Sequence, residues 1–81
     1  MIVKYYIKEI DLYIKIELSS MWNMSDFNNY IEISYNNETS TVTFKGFEPY
    51  DEDCWYQKTF TVKELKKIAK ANEAISIIIN L

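Results

Sequence analysis

The sequence predicts an α+β fold in which a largely antiparallel sheet of five to six strands carries one amphipathic helix near the C terminus, in the order β-β-β-β-β-α-β. Three observations carry this prediction. Residues 12–18 alternate between apolar and polar side chains, residues 30–47 have the pattern of two strands joined by a turn, and residues 60–65 contain two signals for a helix start. The length of 81 residues predicts a single small domain over residues 1–81.

Two strands are expected before residue 19. Apolar side chains occupy odd positions from Val3 to Ile7 but even positions in residues 12–18. One continuous strand over residues 2–18 would be about 56 Å long at ~3.3 Å per residue, several times the radius of gyration of about 12 Å expected for this length. The chain is therefore expected to reverse between Lys8 and Asp11 through a tight turn, with a β-bulge as the alternative.

Residues 30–47 predict a β-hairpin. Pairing Asn36 with Thr41 closes a four-residue loop rich in turn-forming residues. One register then satisfies both strands, and it places opposite each other Tyr35 and Val42, Ile33 and Phe44, and Ile31 and Gly46. The glycine at the end of the hairpin is expected to permit close packing or a bulge.

A strand over residues 54–60 and a helix are predicted next. Thr61 and Glu64 form a capping box, and Phe60 and Leu65 hold the positions of a hydrophobic staple. Asn72 is the expected C-cap. At 100° per residue the helix separates an apolar face from a lysine face made of Lys63, Lys66, Lys67 and Lys70.

Residues 75–79 form the last predicted strand. They are apolar on both faces, which is typical of an interior strand covered by a helix. Because the helix is long enough for a crossover, a parallel arrangement of strands five and six stays open.

The composition argues against an enzyme. The chain has no histidine, one glycine and one cysteine, Cys54, so it lacks an imidazole base, a phosphate-binding glycine loop and a Cys-His pair. Cys54 is therefore expected to be inert, and no cofactor is expected. A single cysteine and the absence of an apolar run of membrane-spanning length predict a cytoplasmic protein with no membrane contact.

The net charge of −3 is unevenly distributed, since residues 1–61 carry a net charge of −5 and residues 62–81 a net charge of +2. Every cation is a lysine, so bidentate guanidinium recognition of phosphate is excluded. The acidic balance makes direct nucleic-acid binding the less favoured function.

The segment 48–56 is the first candidate contact site. It places carboxylates beside aromatic rings and could bind a larger protein with a basic surface, and the residues expected to make that contact are Tyr50, Asp51, Glu52, Asp53 and Trp55. The alternatives are a solvated loop that aids solubility and, less favoured, a metal site at Asp51 and Asp53 that lacks the EF-hand pattern.

The segment 19–29 is the second candidate. It contains Trp22 among methionines, which indicates either an adaptable contact surface or a plug at the end of the sheet. Tyrosines 6, 13 and 30 fall on the polar side of their strands and are expected to be partly exposed. The lysine face is either a solvated helix surface or a binding site for phosphates.

In size, charge and Asn/Ile/Lys/Tyr-rich composition the chain resembles two broad groups, without a motif that transfers any functional residue. One group comprises phage and mobile-element inhibitors of host defence nucleases, of the anti-CRISPR or anti-restriction type. The other comprises bacterial immunity proteins that neutralise a cognate toxin. The resemblance implies a non-enzymatic protein-binding inhibitor. A nucleic-acid-binding module using the lysine face is the alternative. Homodimerisation also stays open, through the doubly apolar strand 75–79 or through an exposed strand edge.

Overall fold

The computed structural model describes residues 2–18, 30–47 and 54–77. In these residues the chain has an α+β fold with the predicted order of elements. The elements are β1 (Ile2–Ile7), a 3₁₀ turn (Lys8–Ile10), β2 (Leu12–Leu18), β3 (Tyr30–Asn36), β4 (Thr41–Phe47), β5 (Cys54–Thr61), α1 (Val62–Lys70) and β6 (Ala74–Ile77).

The strands divide into two three-stranded sheets instead of forming one. The first sheet has the order β1-β2-β6 and the second has the order β3-β4-β5. Strand β6 runs parallel to β2, and the other pairs are antiparallel. The parallel arrangement considered for strands five and six does not occur, because α1 carries the chain from the second sheet to the first.

Strand β6 is not the interior strand that its apolar sequence predicted. In the described part of the chain it lies at the end of the first sheet. Ile75 and Ile77 are buried opposite Ile16 and Leu18, whereas Ser76 is exposed. The described part of β6 therefore buries one face only.

The two hairpins confirm the predicted chain reversals. Lys8–Ile10 form the 3₁₀ turn, and Asp11 follows with a φ of 49°. In the second hairpin, Asn36 pairs with Thr41, and the three predicted cross-strand pairs are present. The side-chain oxygen of Asn36 accepts hydrogen bonds from the backbone N–H groups of Glu38 and Thr39 at 3.0 and 3.3 Å. The β3–β4 pairing stays regular through Gly46, so the bulge considered at the end of this hairpin is absent there. A register shift between Gly46 and Phe47 occurs instead in the pairing of β4 with β5.

Helix α1 begins as the capping box predicts. The backbone N–H of Glu64 donates to the Thr61 hydroxyl at 3.1 Å, and the Glu64 carboxylate accepts from the Thr61 N–H at 3.3 Å. At the other end Ala71 is the C-cap, and the predicted Asn72 lies one residue later with a φ of 62°. The N–H groups of Asn72 and Glu73 donate to the carbonyls of Ala69 and Ile68, which is the Schellman pattern.

One hydrophobic core joins the two sheets and the helix. Leu65 of α1 is fully buried, and both Phe60 and Leu65 of the predicted staple belong to this core. The principal contacts of α1 are with β2, β5 and β6. The remaining buried members are Ile7, Ile14, Ile16, Leu18, Val42, Phe44, Ile75 and Ile77. Because α1 packs mainly on these three strands, β1 is the least covered strand of the first sheet.

Candidate interaction surfaces

Most of the predicted contact residues lie outside the described part of the chain. Trp22, Tyr50, Asp51, Glu52 and Asp53 belong to the segments 19–29 and 48–53, and the metal site considered at two of these carboxylates lies there too. Trp55 lies in β5, as does Cys54, but the side chains of both are outside the description. The acidic-aromatic contact site therefore stays a prediction.

The residues that the structure describes carry more positive than negative side chains. They include all nine lysines but only seven of the twelve acidic residues. The other five acidic residues lie in the segments 19–29 and 48–53. The excess of negative charge in the whole chain thus comes from two short segments, and the surface formed by the strands and the helix is weakly basic.

The outer side of the β1–β2 hairpin carries three of the five large hydrophobic residues that are exposed in the described part of the chain. The antiparallel register places three residues of each strand on this side, and we call this surface the tyrosine face. It consists of Ile2, Lys4, Tyr6, Tyr13, Lys15 and Glu17. Tyr13 is 67 % exposed and Ile2 is 60 % exposed. The exposure expected for Tyr6 and Tyr13 is confirmed, whereas the side chain of Tyr30 is not described.

The tyrosine face is exposed because the opposite side of β2 packs in the core. That side carries residues that alternate with the outward ones: Leu12, Ile14, Ile16 and Leu18. The last three are at most 3 % exposed. Alternation with a period of two forces the intervening side chains outward. The strong alternation of β2 therefore fixes which tyrosines face solvent.

Tyr6 and Tyr13 form a cross-strand pair at the turn end of the tyrosine face. Their ring centroids are 4.6 Å apart with the planes tilted by 32°. The Tyr6 hydroxyl donates a hydrogen bond to the Asp11 carboxylate. This hydrogen bond, together with a smaller desolvation effect and the Asp11 charge, raises the pKa of Tyr6 above 10. The pair therefore presents two rings that contact each other across the strands.

Two lysines of the tyrosine face oppose each other. Lys4 and Lys15 are cross-strand partners, an arrangement that is electrostatically unfavourable in a sheet. Together with Tyr13 they line a depression of about 360 Å³, whose other walls include Asn72 and Glu73. An anionic group held between the two ammonium groups would relieve their repulsion. The depression beside the exposed rings thus holds two lysines and one carboxylate, Glu73.

The lysine face of α1 is a second exposed surface. All four of its lysines are exposed, as the helical periodicity predicts. They border a shallow groove of about 410 Å³ together with Val62. The arrangement offers four mobile cations along two helical turns, which suits an extended anion better than a compact one.

Within the residues 2–18, 30–47 and 54–77, no cluster of three or more cysteine, aspartate and glutamate side chains is arranged to hold a metal ion. None of the described helices is long and apolar enough to cross a membrane.

Sequence reasoning missed the exposure of β1. The alternation of Val3, Tyr5 and Ile7 predicted a buried side, but only Ile7 is buried, and Val3 and Tyr5 are 38 % and 42 % exposed. The even positions Ile2 and Tyr6 carried a usable signal, because they make β1 apolar on both faces. The alternation of a strand with two apolar faces does not show which face is buried.

Comparison with known proteins adds no relative. A scan against protein-family models matched no family, and searches of curated proteins and of solved structures gave no significant match.

Proposed function

We propose that the protein is a non-enzymatic binding protein that acts by covering a surface of a larger protein. The observation that supports this most directly is the tyrosine face, where large apolar side chains stay exposed beside polar groups in a rigid hairpin. Tyrosines favour protein recognition because they supply large contact area with few rotamers to fix.

The chemistry of the tyrosine face favours a particular kind of partner surface. The Tyr6–Tyr13 pair suits an apolar or aromatic patch, and Lys4 opposite Lys15 suits a carboxylate beside that patch. The segment 48–53, with the contact residues expected from the sequence, would add an acidic contact to a basic region of the same partner. The proposed partner therefore carries both apolar and charged patches.

In its specific form the proposal is inhibition of a host defence nuclease complex by a phage or mobile-element protein. Neutralisation of a cognate toxin by an immunity protein is the alternative within the same class. Both need a contact surface and no catalytic group, which agrees with the absence of histidine.

Cleavage assays test the inhibitor proposal. The purified protein is titrated into CRISPR and restriction nucleases from host bacteria, and the variant Tyr13→Ala is compared with Ser34→Ala, an exposed polar substitution on the second sheet. We expect inhibition of one nuclease, weakened about tenfold or more by Tyr13→Ala and unchanged by Ser34→Ala, since a central contact is worth more than ~1.4 kcal/mol.

The segment 48–53 has a separate assay. Reversing the charges of Asp51, Glu52 and Asp53 together should weaken inhibition further and make it less dependent on salt. Equal inhibition by the wild type and by all variants would contradict both contact surfaces.

A second candidate function, nucleic-acid binding, is favoured by the lysine face. Its four exposed lysines line one groove. A phosphate backbone along the groove would release counterions in proportion to the lysines engaged.

Fluorescence anisotropy with labelled single-stranded and double-stranded DNA and RNA tests this second candidate. Binding through four lysines predicts a slope of about −3 to −4 in log K against log salt. Replacement of the four lysines by glutamine should abolish binding, and Lys45→Gln on β4 is the matched control. Absence of binding at low salt would contradict this candidate.

A further inference from the structure

The free edge of β1 is the least protected strand edge among the described residues. Within residues 2–18, 30–47 and 54–77, β1 lies at the end of the first sheet and has β2 as its one pairing partner. Five of its six residues are exposed, and four of these are large and apolar: Ile2, Val3, Tyr5 and Tyr6. An exposed apolar edge presents unpaired backbone groups and apolar side chains together, which favours pairing with a further strand.

Strand β3 shows how the same chain protects an edge. It lies at the end of the second sheet, and its outward positions carry Glu32, Ser34 and Asn36, all exposed. Each strand has one charged residue, Lys4 in β1 and Glu32 in β3, but the outward side of β1 also exposes Ile2 and Tyr6. Both are edge strands of similar length, so the two edges differ in the chemistry of their exposed side chains.

Symmetry limits how β1 can pair with a second copy of itself. A two-fold axis perpendicular to the sheet keeps each side chain on its own face, and directly opposed residues of two antiparallel strands share a face. The residue at the axis must therefore lie opposite its own copy, and not opposite its neighbour in sequence. Only the axes through Lys4 and Tyr5 keep five residues of β1 paired on each copy. The axis through Lys4 would place two lysines directly opposite each other, which is unfavourable.

The axis through Tyr5 has no opposing charges. It places Tyr5 opposite its own copy, Val3 opposite Ile7 and Lys4 opposite Tyr6, so each lysine lies beside an aromatic ring. The apolar side chains that are exposed on the core side of β1 would then contact one another across the axis. Charge and apolar contacts therefore select the same register.

We propose that β1 is a homodimerisation strand that pairs antiparallel with β1 of a second copy, with Tyr5 on the two-fold axis. The result is a continuous six-stranded sheet in the order β6-β2-β1-β1-β2-β6. The two tyrosine faces lie on the same side of this sheet and form one extended surface. The dimer does not depend on the function proposed above, and it would double the contact surface if that function holds.

Disulfide trapping tests the register directly. In a Cys54→Ser background, Tyr5→Cys places two cysteines opposite each other at a Cα separation of about 4.5–5.5 Å, within the range that a disulfide bridges. Lys4→Cys is the matched control, because its two copies would be about 8 Å apart at two residues of offset. Oxidation should give a covalent dimer with Tyr5→Cys and little with Lys4→Cys.

Light scattering during size-exclusion chromatography tests the dimer itself. The wild type should approach twice the mass of the chain as its concentration rises. Tyr5→Lys should raise the dimer dissociation constant about tenfold or more, since it places two ammonium groups on the axis. Tyr13→Lys makes the same chemical change one strand away from the axis and should leave the dimer intact.

Three outcomes would overturn the proposal. The first is a monomeric wild type at the highest concentration reached, and the second is equal trapping by Tyr5→Cys and Lys4→Cys. The third is an equal loss of dimer with Tyr5→Lys and Tyr13→Lys. If Tyr5→Lys does not fold by circular dichroism, the wild-type mass and the two cysteine variants still decide.

Discussion

The two hairpins of this protein share one backbone design but differ in what they bury. Each has a four-residue loop, and the fourth loop residue has a left-handed conformation, Asp11 at a φ of 49° and Ser40 at 52°. In the second hairpin the described apolar side chains of both strands, which include Ile33 and Phe44, lie on one side. In the first hairpin, β2 buries the side chains of one face, whereas β1 is exposed on both faces except at Ile7.

This difference shows that hairpin geometry and burial are set by separate physical causes. Loop length and turn conformation are local and are similar in both hairpins. Burial depends on what packs against each strand, and the principal contacts of α1 fall on β2, β5 and β6. The same hairpin design can therefore supply a buried strand in one sheet and a largely exposed strand in the other.

Removing an aromatic ring from each hairpin should have the most unequal effect. Phe44 is fully buried and packs edge-on against Phe60 at 5.7 Å, so Phe44→Ala should lower the free energy of unfolding by about 3–5 kcal/mol. Tyr5→Ala, at a half-exposed position on the core side of β1, should cost less than about 1.5 kcal/mol in dilute protein. Urea unfolding measures both values. Equal losses would contradict the difference in burial.

Weakening the helix start should affect both sheets together, because α1 packs on strands of each. Thr61→Ala removes the hydroxyl that accepts the Glu64 N–H and should lower the free energy of unfolding by about 1 kcal/mol. Lys63→Ala, at an exposed site of the same helix, is the control and should change stability by less than about 0.5 kcal/mol. A separate early transition of one sheet in urea would contradict a shared core.

Glycine at the two left-handed loop positions should sharpen the comparison of the hairpins. Ser40→Gly relieves the cost of a Cβ at positive φ, and we expect a gain of up to about 1 kcal/mol in the free energy of unfolding. Asp11→Gly should gain less, because it also removes the acceptor of the Tyr6 hydroxyl. A larger gain from Asp11→Gly in thermal unfolding would show that this hydrogen bond contributes nothing.

The smallest expected effect is on the titration of Tyr6. Its pKa is raised above 10 chiefly by the hydrogen bond to Asp11, so the folded protein holds the phenol proton more strongly than the unfolded chain does. The resulting stabilisation is complete below pH 10 and is lost as the pH rises through the folded pKa. Asp11→Gly should lower the Tyr6 pKa, measured by NMR with Tyr6→Phe to assign the signal. An unchanged pKa would contradict the hydrogen bond.

Local patterns predicted the elements and the second hairpin well. The register from Ile31 to Phe44 followed from two alternating strands around Asn36, because only one register put both apolar sets on the same side. The start of α1 followed from Thr61 and Glu64 because a capping box is a contact between residues three apart. These features depend on neighbours in sequence, which is why the sequence alone contained them.

Long-range pairing and exposure were not predictable in the same way. The strands divide into two sheets, and this division depends on pairs that are distant in sequence. The parallel pairing of β6 with β2 joins residues about 60 positions apart, such as Ile16 and Ile75. No local pattern specifies such a partner, because several strands offer an equally apolar face. The contact residues expected in the segments 19–29 and 48–53 are still predictions, whereas the tyrosine face became evident only from the exposure of β1 and β2.

The sequence by itself determined the α+β class, the order of the elements, the turn positions and the two faces of α1, because each depends on side-chain periodicity or on contacts within a few residues. The tertiary structure decided which strands pair and which apolar residues stay exposed. Ile7 is buried whereas Val3 and Tyr5 of the same strand are not, because burial depends on the packing of distant elements over each position.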